Sequence, residues 1–103
     1  MTADDLARRV AKGLTSELGE GVTASTEAAI RGDSSRGWGE AAQIGAFLIN
    51  ACRLGWEIYK DMKSAPDLKA KLVAGTERPA GLSSRKADAI IDEVVDQLMD
   101  TKS

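Results

Sequence analysis

The stretch "AAQIGAFLINACRLGWEIY", residues 41–59, is the most apolar part of the chain, yet its polar residues are in register. Gln43, Asn50 and Glu57 recur every seven residues, so on an α-helix they drift by only ~20° per step and form one edge. Arg53, Lys60 and Asp61 fall beside that edge, and Arg53 stands four residues before Glu57, a spacing at which the two can pair. Opposite lie Ile44, Leu48, Ala51, Gly55, Ile58 and Met62, with Phe47, Cys52, Trp56 and Tyr59 widening the apolar side. A membrane span needs about 20 mostly apolar residues, and a central charge costs it roughly 3 kcal/mol. It also has no reason to keep a polar stripe aligned. The segment therefore predicts a long central helix over about 39–63 that contacts several neighbours at once and turns its polar edge to water.

The flanking segments supply those neighbours. Thr2 can cap a first helix, with Asp5 reaching back to the cap. Leu6, Val10, Leu14 and Leu18 then give an apolar stripe that runs to the stop at Gly19 and Gly21. A short second helix is expected from Thr23 or Ser25 to Arg31, followed by a loop, "RGDSSRGWG", rich in residues that compete with helix. After the central helix, Ser64 caps a helix from about Ala65 to Ala74, with Pro66 tolerated in its first turn. "GTERPAG" is a turn, and Ser83 or Ser84 caps a last helix to about Asp100, with Ala87, Ile90, Ile91, Val94, Val95 and Leu98 as its core face. No segment alternates with period two for long. The fold class is all-α, one helical domain over residues 1–103, a compact bundle of four or five helices.

"TADDLARRVAKG" (2–13) also aligns without gaps on "SAPDLKAKLVAG" (64–75), and "GVTASTEAAI" (21–30) matches "GLSSRKADAI" (81–90) at Gly, Ala and Ile. Residues 2–30 and 64–92 thus read as an internal repeat, two helical hairpins flanking the central helix. The same pattern also suits two ordinary helix starts.

The chemistry is bounded most by the absence of histidine among 103 residues. Without it there is no Ser-His or Cys-His nucleophile pair and no zinc site of the usual kind. No cofactor or metal motif is found, and the chain is not expected to be an enzyme. Cys52 is the single cysteine, on the apolar side of the central helix, and reads as an inert core thiol. Arg31, Gly32 and Asp33 spell an adhesion tripeptide, too short to mean more than chance. A net charge of −2 argues against broad binding to nucleic acid or anionic lipid. The start, "MTADDLARRV", lacks the apolar core of a secretory signal, so the expected compartment is the cytoplasm of a bacterial cell.

Two groups of charges stand out. Arg8, Arg9 and Lys12 mark the first helix, and Lys69 and Lys71 its counterpart in the second half. Asp88, Asp92 and Asp96, four residues apart, form a negative ridge on the last helix, with Glu93 beside them. A ridge on one exposed face makes no closed oxygen cage for a metal, and it would repel the phosphates of DNA. Patches of opposite sign suit head-to-tail self-association or docking on a protein partner.

"LGWEIYKDMKSAPDLKAKLVAG" and "SSRKADAIIDEVVDQLM", through Trp56, Ile58, Tyr59, Asp61 and the Ile-Ile-x-x-Val-Val run at 90–95, resemble short helical modules of multidomain actinobacterial proteins of the effector-associated or conflict-system type. The resemblance covers about half the chain and implies an interaction or adaptor role. The resulting expectation is a non-catalytic adaptor or regulator acting through charged helix faces. A membrane-active protein using the central helix, and an inhibitor or immunity-type protein that masks a basic target, are the alternatives.

Overall fold

In the computed structural model, which describes residues 2–32 and 40–102, the first helix opens with the capping box its sequence predicts. The Asp5 N–H donates to the Thr2 hydroxyl at 3.2 Å and the Thr2 N–H to the Asp5 carboxylate at 3.1 Å, a device that stabilises a helix start by about 1 kcal/mol. Helix α1 (Ala3–Gly13) stops well before Gly19, however. Gly13 is a weak helix former. The Thr15 hydroxyl donates to the Lys12 carbonyl at 3.0 Å, an oxygen that a continuing helix would use, and Leu14 leaves helical geometry at φ −99°, ψ 1°. One further turn, α2 (Thr15–Leu18), then ends at Gly19, whose φ of 89° suits glycine.

Helix α3 (Gly21–Ile30) starts earlier than Thr23 or Ser25. Those hydroxyls donate back to the carbonyls of Glu20 and Val22 instead of capping. Residues 33–39, which include Asp33 of the tripeptide, Trp38 and the predicted first residue of the central helix, lie outside the described residues. Helix α4 (Glu40–Ile58) passes into a 3₁₀ turn (Tyr59–Asp61) rather than running on to Lys63. The cause is the next helix. α5 (Ala65–Gly75) is capped by Ser64, which must be extended (φ −144°, ψ 159°), so the chain has already unwound at Met62. Helix α6 (Ser84–Lys102) is capped by Ser83, whose hydroxyl accepts from the Lys86 N–H at 3.3 Å.

α1 pairs with α3 and α5 with α6, and α4 touches all four. The two hairpins that the repeat predicts therefore flank the central helix. The likeness is close for α1 and α5, both eleven residues long, both capped by a hydroxyl onto an aspartate N–H and both ending in glycine. It fails in the second halves, where α3 begins at Gly21 itself whereas α6 begins three residues after the equivalent Gly81 and is nineteen residues long.

The core is a single cluster that includes Leu6, Val10 and Leu14 from the first helices, Phe47, Leu48, Ala51 and Cys52 from α4, Leu68 and Leu72 from α5, and the predicted face of α6. Leu48, Ala51 and Cys52 have no exposure at all, and each fully buried aliphatic side chain stabilises the fold by roughly 1.5–3 kcal/mol. Tyr59 stacks on Trp56, with ring centroids 5.3 Å apart. Among the described residues no helix is long and apolar enough to cross a membrane.

The polar edge of α4 needs two corrections. Asn50, Arg53 and Glu57 are exposed, but Gln43 is half-buried under the turn at Gly81, and its Oε1 is buried without a hydrogen-bond partner among the described residues. Arg53 reaches Asp4 of α1 at 4.0 Å rather than pairing with Glu57. The aligned stripe serves partly as a seam between elements.

α3 approaches α4 so closely that a Cβ at Gly45 would sit on the Ser25 carbonyl oxygen, which is backbone and does not swing away. Gly45→Ala is expected to destabilise the fold by about 2 kcal/mol. Gly21→Ala, at a helical position with nothing within 4 Å of the added methyl, should be neutral or stabilising by about 0.5 kcal/mol. Urea denaturation of the two variants checks the contrast.

Candidate functional site

Helix α6 turns its Ile90, Val94 and Leu98 face inward, so Asp88, Asp92 and Asp96 project to solvent and Glu93 lies at the boundary. Leu14 and Glu17 lie beside α6 on the other wall, and a groove of ≈ 520 Å³ opens between them. Glu17, Asp88, Asp92, Glu93 and Asp96 line it, with Arg85 near one end. The Glu93 carboxylate lies over Gly13, where a Cβ would come within 3.1 Å of it, and it accepts a hydrogen bond from Gln97 at 2.9 Å. Glycine at 13 thus leaves room for this acid between the two hairpins.

The basic residues are distributed differently from the two matching patches that the sequence suggests. The Arg8 guanidinium donates to Glu27 of α3 at 2.6 Å and lies 3.5 Å from Asp5. Lys69 of α5 meets Asp92 of α6 at 2.8 Å. Arg9, Lys12 and Lys71 are exposed. Arg8 and Lys69 are therefore bound to acids of their own molecule, each bracing the two helices of one hairpin. Among the described residues, no three of His, Cys, Asp and Glu are placed together to hold a metal ion. The acids follow one another along the groove rather than converging on a point.

These pairs hold their cations in the charged form. The Glu27 hydrogen bond raises the Arg8 pKa, and the Asp92 carboxylate raises that of Lys69. The raised Lys69 pKa therefore supports the fold at neutral pH, and that contribution is lost as the solution becomes strongly alkaline. At the helix start, the Thr2 N–H holds the Asp5 carboxyl below the usual carboxylate range, with the Thr2 hydroxyl and Arg8 adding to it. That contribution is lost as pH falls into the acid range. Both pairs are exposed and small in energy.

Sequence reasoning missed Glu17 and Arg85 as members of the groove. Glu17 stands three residues after Leu14 and four after Gly13, so its spacing to the apolar stripe of the first helix was a signal for it; Arg85 could have been placed there from its spacing to Asp88. Comparison of the chain with known protein families, curated proteins and solved structures finds no match.

Cys52 lies away from this groove in the core, and burial pushes its thiol up to about 12. Since the thiolate is the reactive form, Ellman's reagent should leave the folded protein unmodified near pH 8, about where a free thiol titrates, and label it fully in denaturant. Rapid labelling of the native state would show that the core opens around α4.

Proposed function

We propose that this chain is a non-catalytic, cytoplasmic interaction domain of a bacterial cell, an adaptor or regulator whose charged helix faces dock a protein partner. The observation that carries this reading is that five carboxylates from α2 and α6 line one open groove, with Arg85 in its lining and Lys69 on Asp92 as the cations beside them. Such a surface favours a basic partner, raises its association rate and rejects acidic ones. The effector-associated modules that the second half resembles fit the same role.

The ion pairs bear on what kind of partner this is. Head-to-tail self-association would need a free basic face of this same molecule. Arg8 and Lys69 are already held by Glu27 and Asp92, and this favours a separate basic protein, bound one-to-one as by an inhibitor or immunity-type protein.

Capture on the immobilised chain from its native host, followed by light scattering of the purified complex, tests both readings. A basic protein that elutes as salt approaches about 1 M, where charges are screened within ~3 Å, is the expected result. Asp92→Lys with Asp96→Lys should abolish that binding while circular dichroism stays unchanged. Undiminished binding by the double variant overturns the groove as the docking surface, and a one-to-one mass separates the inhibitor from the adaptor.

A further inference from the structure

The acidic groove does not end at Asp88. Ser84 and Asp88 also line a second depression on the other side of α6, between that helix and α5, of ≈ 130 Å³. Its character changes there. Phe47, Ala87 and Ile91, none more than 4 % exposed, form its floor, and Val73 forms a wall. Val73 is 50 % exposed, the large hydrophobic residue that stands out on the described surface. Arg78 borders the far side, tied down by the hydrogen bond from its Nη1 to the Leu82 carbonyl at 2.6 Å. An apolar cavity of about 150 Å³ holds one benzene molecule, so the notch admits one aliphatic side chain and little more.

We propose that this notch is the anchor point of the docking surface, taking a single leucine, isoleucine or methionine from a partner segment whose lysines or arginines lie along the adjoining acids. The inference rests on the reading of the acidic groove as a docking site and specifies the segment it takes. Charge complementarity selects the occupant, since an aliphatic residue seated beside Asp88 brings its chain neighbours along the acids of α6 toward Asp96, with Asp92 shared with Lys69. A buried apolar anchor ringed by polar contacts is also where interface energy concentrates. In such a surface the charges set the rate of encounter and the anchor sets the lifetime. A second copy of this chain is a poor occupant. In its basic runs Leu6, Val10, Leu68 and Leu72 are buried in its own core, and the exposed Val73 beside Lys71 is itself a wall of the notch.

Fluorescence polarisation with short Lys/Arg/Ser peptides, each carrying one leucine at a different position, tests the proposal. At the best position the leucine peptide should bind roughly fivefold tighter than its serine counterpart. Val73→Ser, a change at an exposed position, should erase that advantage, whereas Asp96→Asn should weaken both peptides alike. Ala87→Leu, which fills the notch from its floor, should likewise erase it, with circular dichroism confirming that both notch variants stay folded. Equal binding of leucine and serine peptides overturns the notch and leaves the acidic groove standing. An advantage that survives Val73→Ser and Ala87→Leu overturns it as well, and no binding of any basic peptide overturns both readings.

Discussion

Everything in this fold depends on how α4 is covered. More than half of its girth is apolar, so it has to be packed on several sides at once, and two short hairpins do so where a single layer of helices could not. The approach is closest where side chains are absent. Gly45 lets the backbone of α3 reach the helix at Ser25, and Gly55 receives the Leu98 side chain of α6. These contacts fix the distance of each hairpin from the centre, and with it the rotation of α6. Once Ile90, Val94 and Leu98 are driven into the core, the acids between them have only the outside left to occupy.

The surface chemistry follows from that rotation. Exposed ion pairs add little to stability, but here they decide how charge is distributed over the surface. Arg8 and Lys69 are spent inside their own hairpins, and the carboxylates of α6 exceed the cations that face them. Negative charge therefore accumulates on one side of the molecule although the chain as a whole carries only −2. A wholly polar groove would attract many basic chains with little discrimination. In the proposed docking surface the apolar notch beside Val73 adds shape to charge.

Much of the architecture was legible in the residues. The caps at Thr2, Ser64 and Ser83, the core face of α6 and the central position of the 41–59 segment all appear where local chemistry puts them, because capping and amphipathic period act over a single turn or a single helix face. The departures have two kinds of cause. The first helix breaks at Leu14 through local chemistry, Gly13 and the Thr15 hydroxyl on the Lys12 carbonyl. The central helix unwinds at Tyr59 and Gln43 leaves the water edge for the turn at Gly81 because a neighbouring element, or the need to enter the next one, overrides a pattern that is locally sound. The acids of α6 could be named one by one from its sequence, whereas that Glu17 shares their groove is a relation between two helices and appears only in the packed structure.

The sequence by itself thus determined an all-α chain with a buried central helix, an inert core cysteine and a last helix acidic on its outer face. These follow from periodicity and residue type, which need no knowledge of distant contacts. Only the tertiary structure decided which charges neutralise one another, which surround a common groove, and that an apolar notch adjoins them. Those are relations between residues far apart in the chain, such as Glu17 with Asp96 or Val73 with Ile91, and they exist only after packing has set the distances.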